Sequence, residues 1–109
     1  MKYLNLKEIK KVYVLEGLHS KVYVEFYEDD QYTAYITHLH VDENHRKHGI
    51  GNKTLNDAEQ WARVHGFDKV MLMCESDSWM YHWYISKGYK FHSNEDEEYC
   101  WLYKKFYTE

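Results

Sequence analysis

Leu39-His40-Val41-Asp42-Glu43-Asn44-His45-Arg46-Lys47-His48-Gly49-Ile50-Gly51 decides how this chain is read, because it joins a strand-like run to a helical pattern through two closely spaced glycines. On its upstream side Tyr32 to Val41 alternates, with Thr33, Tyr35, Thr37, Leu39 and Val41 on one face and Ala34, Ile36, His38 and His40 on the other, the period of a strand. Downstream, Leu55, Ala58 and Ala62 recur at helical spacing beside Trp61 and His65, and Gly66 supplies a C-cap; the spacing predicts a helix of roughly four turns. A turn of this kind makes an anion site. Glycines let the backbone approach a phosphate closely, and the helix N-terminus adds about half a positive charge. Arg46, Lys47 and Lys53 add basic charge nearby. The plainer alternative is that Gly49 and Gly51 only permit a tight connection. Two nucleotide-fold patterns are absent: there is no G-x-x-x-x-G-K-[ST], and Thr54 stands where the dinucleotide fingerprint needs its third glycine.

Working outward, Val12-Tyr13-Val14-Leu15 and Val22 to Tyr27 are rich in β-branched and aromatic residues, with Gly17 and Ser20 between them, which predicts a hairpin. A turn at Glu28-Asp29-Asp30-Gln31 leads into the strand before the glycines, so the first half is an antiparallel meander. Beyond the helix, Val70-Met71-Leu72-Met73-Cys74 is a short continuous apolar run, expected to be a central strand buried on both faces. Ser76, Asp77 and Ser78 all offer N-caps for a second helix carrying Met80, Trp83, Tyr84 and Ile85 and ending at Gly88. Two closing strands, Tyr89 to His92 and Tyr99 to Phe106, flank the acidic turn Asn94 to Glu98.

Composition bounds the rest. A length of 109 residues with no Pro, no repeats and no low-complexity linker fits one domain over residues 1–109. The chain is 44% hydrophobic and 29% charged, which suits one core under a soluble surface. No run is long enough to span a bilayer and Met1 to Asn5 carries no signal-peptide core, so a cytoplasmic protein with no membrane partner is expected. A net charge of -4 gives no bulk electrostatic reason to bind nucleic acid. Cys74 and Cys100 lie in apolar runs, which suits buried packing in a reducing compartment better than a disulfide framework.

The glycine segment resembles the signature of the Gcn5-related N-acetyltransferase (GNAT) family, L-x-V-x-x-x-x-[RQ]-x-x-G-x-[GA], in Leu39, Val41, Arg46, Gly49 and Gly51. Trp83-Tyr84-Ile85-Ser86-Lys87-Gly88-Tyr89 is similar to a second family motif, F-Y-x-x-x-G-F. The resemblance is strong over about residues 37 to 92, and the flanking strands follow in the family's order. It implies an α/β (α+β) GNAT fold: a mixed, mostly antiparallel central sheet flanked by helices, with the N-terminal helices reduced because Met1 to Lys11 leaves little room. Two positions depart from the family pattern, Glu43 where proline is common and Met80 where a small residue is common, and Asp42 and Glu43 put negative charge beside the anion site.

What the resemblance implies for function is an N-acetyltransferase that moves an acetyl group from acetyl-CoA to a primary amine by direct attack in a ternary complex. The CoA diphosphate would lie on the amides of Arg46, Lys47, His48, Gly49, Ile50 and Gly51. Leu39 and Val41 would pair with the pantetheine on a strand splayed from its neighbour, and Asp77 takes the place of a family Asn near that arm or serves only as an N-cap. Tyr84 would protonate the departing thiolate, the alternative being one more core aromatic among 12 tyrosines. For a base that frees the amine, Glu25, His38, His40 and Glu75 are the candidates beside plain proximity. The acidic turns at 28–30 and 95–98 would attract a cationic acceptor if they border the site, or are solvated tips. With no helices over it the cleft should be open, to a small amine, to a protein lysine or N-terminus, or to completion by a second subunit in a homodimer. A catalytically silent module binding CoA or a protein partner is the rival reading. A metal site at His38, His40, His45 and His48 is set aside, because no carboxylate or Cys lies at clear ligand spacing, and no metal cofactor is expected.

Overall fold

The computed structural model describes residues 10–45 and 49–107. In chain order these form β1 (Lys10–Glu16), β2 (Ser20–Tyr27), β3 (Thr33–Val41), a 3-10 turn (Glu43–His45), α1 (Ile50–Val64), β4 (Lys69–Glu75), α2 (Trp79–Ser86), β5 (Lys90–Asn94) and β6 (Tyr99–Lys105). The strands make one six-stranded sheet in the order β1-β2-β3-β4-β6-β5. All neighbours are antiparallel except β3 and β4, which run parallel with α1 as their crossover. This is the mixed sheet with flanking helices expected from the sequence.

The apolar positions read along the chain converge on one core. Val22 and Val24 of β2, Ala34 and Ile36 of β3, Val70 and Leu72 of β4 and Leu102 of β6 meet Leu55, Ala58 and Ala62 of α1 and Tyr84 of α2. Both helices therefore cover the same sheet face. On α1, Trp61 extends the core outward, stacking on Tyr13 of β1 at 4.7 Å and on His65 at 4.0 Å. Gly66 takes φ +89 just past the helix, a conformation that costs other residues a Cβ clash. Cys74 and Cys100 are buried, free and directly opposite one another across β4 and β6. Burial, then the neighbouring Cys100, pushes the Cys74 thiol up to about 12, so it is inert as a nucleophile.

Two expectations need correction. β4 is central in the sheet, yet Met73 is 47% exposed, because no helix among the described residues covers the second face there. The alternation read along β3 also breaks. Lys21 pairs with His40 while Tyr23 pairs with Thr37, so β3 carries one residue more than β2 across this interval. His38 takes φ 53 within that bulge. An extra residue reverses the side-chain parity. Leu39 accordingly packs against the core and Val41 is buried, on the face of Ala34 and Ile36 and not opposite to it, while His38 and His40 are exposed.

A polar network ties the helices to the sheet. Glu59 of α1 accepts from Tyr89 Oη at 2.8 Å and from Lys104 Nζ of β6 at 3.1 Å, and Lys104 also donates to the Lys87 carbonyl at 2.9 Å. Burial, then Glu59, raises the Tyr89 hydroxyl pKa well above its ordinary value. Removing one partner of such a group leaves the others unpaired away from water. Glu59→Ala should lower the unfolding free energy by about 3 kcal/mol in urea titration. The exposed Asp57→Ala, which breaks only the Lys53 pair one helical turn away, should cost less than about 0.5 kcal/mol.

Candidate active site

β3 and β4 pair only at their beginnings, through Thr33–Lys69, Ala34–Val70 and Tyr35–Met71. Beyond that point β3 stays with β2 as far as Ser20–Val41, and β4 stays with β6 as far as Glu75–Tyr99. The sheet opens between them. The splay expected at Leu39 and Val41 is present, and α1 begins at the head of the opening. Gly49 caps α1 with φ 81 and no side-chain hydrogen bond, and its carbonyl accepts the Lys53 amide at 3.0 Å. The amides of Ile50, Gly51 and Asn52 find no acceptor among the described residues, as is usual in the first turn of a helix. A Cβ on Gly51 would lie 3.8 Å from Val41, ordinary contact, so this glycine is not required by space. Arg46, Lys47 and His48 lie outside the described residues. Lys53 pairs with the exposed Asp57 at 2.9 Å, which offsets part of the basic field expected at the turn.

Tyr84 lies on the buried face of α2, 5% exposed, against Tyr89 at a ring separation of 5.5 Å. Burial, then Cys74 of β4, pushes its pKa up to about 12. Its hydroxyl makes no hydrogen bond among the described residues, and it remains a proton donor throughout the neutral range. Ser78 is the N-cap of α2, accepting from the Tyr81 amide at 3.2 Å. Asp77 is not; it takes φ 57 and its carboxylate accepts from His82 Nε2 at 3.0 Å. The expectation that Asp77 caps the helix is therefore corrected, since a left-handed residue one position early cannot aim its side chain at those amides.

The base candidates are spread over the site. Glu25 on β2 faces away from the helices, accepting from Thr37 Oγ1 at 2.9 Å and pairing with Lys10 at 3.3 Å. His38 sits exposed in the bulge, its ring edge-on to Tyr23 at 5.4 Å. His40 lies 3.8 Å from Asp42. Glu75 ends β4, its carbonyl accepting from Ser78 Oγ at 2.7 Å. The two acidic turns part company. Ser76 donates to the Glu98 carbonyl at 2.7 Å, which places the 95–98 turn at the end of the sheet that holds the glycine turn. Residues 28–30 precede β3, and nine residues of strand separate them from that end, roughly 30 Å.

One residue was invisible in the sequence. The Asp42 amide donates to the His19 carbonyl at 2.8 Å, and the His45 amide to the Asp42 carbonyl at 2.9 Å. Thr54 of α1 reaches the same hairpin turn, its hydroxyl 2.8 Å from Ser20 Oγ. His19 is thereby held over His45, ring centroids 3.4 Å apart and planes 10° from parallel. His40, Asp42, Glu43, Asn44 and His45 line a hollow of about 520 Å³ beside the glycine turn. A second, of about 430 Å³, lies between the β1–β2 turn and the first turns of α1. Neither is lined by Tyr84. Pairing of Ser20 with Val41 was the only signal that could have found His19, and it is a tertiary one.

A parted parallel strand pair leading to a glycine-capped helix is the arrangement that the resemblance to the GNAT family implies. Residues 22–84 match the family model for acetyltransferases of the GNAT family, and the chain belongs to that family: it is an acetyl-CoA-dependent N-acetyltransferase. Solved structures repeat the fold. An acetyltransferase from Bacillus cereus ATCC 14579 is 21% identical with a TM-score of 0.70, covering 97% of this chain and 81% of that one. The PaiA N-acetyltransferase from Thermoplasma acidophilum, solved with coenzyme A, is 17% identical with a TM-score of 0.70, over 81% of this chain and 54% of that one. N-acetylglutamate synthase from Neisseria gonorrhoeae, solved with coenzyme A and N-acetyl-glutamate, is 13% identical with a TM-score of 0.72, over 87% of this chain and 25% of that one. No curated protein matches the sequence. Among the described residues no helix is long and apolar enough to cross a membrane.

The raised Tyr84 pKa has a consequence for stability. Below pH 10 this hydroxyl is neutral in both folded and unfolded chains; as pH rises through about 12, ionisation favours the unfolded chain. Stability present below pH 10 should therefore fall between pH 10 and 12, and denaturant titrations should show Tyr84→Phe losing about 3 kcal/mol less over that interval.

Proposed function

We propose that the protein acetylates a cationic primary amine, a protein lysine or N-terminus in preference to a small amine, with CoA lying in the gap between β3 and β4. The observation that carries this reading is the parting of those strands after Tyr35–Met71, at the head of which α1 presents its first amides. In it, the diphosphate lies on the turn at residues 46–51 and the pantetheine follows β3 past Val41 and Leu39. The thioester then comes to rest near Tyr84, which approaches from the helix-covered face. Asp77, exposed at the start of α2, borders the arm.

The acceptor comes from the other face, which no helix among the described residues covers. The free amine attacks the thioester carbonyl, the C–S bond breaks as the N–C bond forms, the Tyr84 hydroxyl gives its proton to the leaving thiolate, and the proton released by the new amide nitrogen restores Tyr84. Of the candidate bases Glu25 is favoured over His38, His40 and Glu75. It sits on the acceptor's face beside Thr37, just where the strands diverge, although its Lys10 partner must be displaced to free an oxygen. The acidic turn at 95–98 supports a cationic acceptor. Glu95 and Asp96 are held within the turn by Trp101 Nε1 and by the amides of Glu98 and Tyr99, leaving Glu97 and Glu98 to attract charge. An acceptor surface open on one side suits a macromolecular substrate or a site closed by a second copy in a homodimer.

Incubation with labelled acetyl-CoA, followed by mass mapping of protein and small-amine pools, should place the label on lysine or N-terminal amines; label confined to small amines would overturn the preference. Tyr84→Phe should lower kcat by about 100-fold, with CoA affinity by calorimetry changed less than about threefold. Equal turnover would remove Tyr84 from the reaction. Glu25→Gln should lower kcat by about 100-fold if Glu25 frees the amine, with CoA affinity unchanged, and a parent-like kcat would strike it from the base candidates.

A further inference from the structure

His19, Asp42 and His45 each present a ligand atom, and the three lie within 4.8 Å of one another. They come from two pieces of chain: the β1–β2 turn, and the short segment after β3 that runs from Asp42 through the 3-10 turn. Backbone bonds from Asp42 to His19 and from His45 to Asp42 hold the main chain of those pieces together. His19 Nδ1 is 3.7 Å from Asp42 Oδ2, and the imidazole rings are 3.4 Å apart. A tetrahedral ion with metal–nitrogen bonds of about 2.0–2.1 Å sets its ligand atoms roughly 3.3 Å apart. The cluster is thus within about 1.5 Å of that spacing throughout, and a shared ion requires the two rings, now stacked with their nitrogen lone pairs in near-parallel planes, to swing out of the stack.

A second observation points the same way. His45 Nδ1 is sealed from solvent and has no hydrogen-bond partner among the described residues. Buried ring nitrogens are ordinarily satisfied, and this one lies in the ring that stacks on His19. Two imidazoles and one carboxylate form a donor set of intermediate softness, suited to zinc, cobalt or nickel and not to magnesium or calcium, which take oxygen ligands.

We propose that His19, Asp42 and His45 bind one divalent transition-metal ion of the zinc type, with its remaining position open to the hollow beside the glycine turn. The ion cross-links the β1–β2 turn to the segment that enters α1. It also supplies positive charge where Asp42 and Glu43 otherwise present only negative charge to the diphosphate. That last consequence rests on the proposed function; the binding itself does not.

The test uses the full chain without a histidine tag, stripped of metal and free of CoA, titrated with zinc chloride in a calorimeter. One equivalent should bind with micromolar or tighter affinity, a tenfold excess of Mg²⁺ should not displace it, and cobalt loading should give the visible bands of a tetrahedral site. His19→Ala, His45→Ala and Asp42→Asn should each weaken binding at least tenfold, while His92→Ala, whose ring contacts Ser93 on β5, should bind as the parent does. Circular dichroism of the stripped variants separates lost ligands from lost folding, and His45→Gln provides a second test if His45→Ala unfolds. Absence of stoichiometric binding, or binding indifferent to both His19→Ala and His45→Ala, overturns the proposal. Because CoA is absent throughout, the result stands whether or not the acceptor assigned above is correct.

Discussion

One extra residue in β3 governs the rest of this structure. A strand cannot keep both neighbours in register across a bulge, because the added residue bends the backbone and increases its twist. β3 resolves the conflict by following β2, with which it pairs again at Lys21–His40 and Ser20–Val41. β4 has its own full-length partner in β6. The sheet therefore divides without either half losing an inner hydrogen-bonded neighbour, and the division creates a slot in the middle of a sheet whose core remains continuous on the helix side.

The core explains why the slot is stable and not a step toward unfolding. Leu39 turns to the core side after the bulge and Val41 is buried near Gly51 of α1, so the departing half of β3 is still anchored by apolar contact. On the far side of the slot, Glu59 links α1 to Tyr89 and Lys104, and Tyr89 in turn supports the ring of Tyr84. A tyrosine held this way would lose little orientation entropy in the acid role proposed for it. Its raised pKa follows from the same burial that fixes its position.

Charge is distributed less simply than in the usual picture of a basic phosphate site. The described side chains around the turn include Asp42 and Glu43, and Lys53 pairs with Asp57. In the proposed site the backbone amides and the α1 N-terminus would attract the diphosphate beside these acidic side chains. The acidic 95–98 turn, at the same end of the sheet, suits the cationic acceptor proposed above. The 28–30 turn sits at the far end, where Asp30 accepts from the Tyr32 and Thr33 amides and Glu28 pairs with Lys11.

Much of this was determined by the sequence alone. A period of two located β3 and one of 3.6 located α1, β-branched and aromatic runs located β1 and β2, and cap residues before an apolar run located α2; glycines at 49, 66 and 88, all with positive φ, marked where helices begin or end; and Leu39, Val41, Arg46, Gly49, Gly51 and Tyr84 identified the family. These signals are local, set by backbone sterics and by side-chain spacing along a single element. Tertiary structure alone decided the parity of Leu39 and Val41, the exposure of Met73, the distance between the two acidic turns and the meeting of His19 with Asp42 and His45. Each of these depends on how one strand registers against another, and a bulge, a missing cover or a pairing between residues 20 and 41 leaves no periodic trace in the chain that contains it.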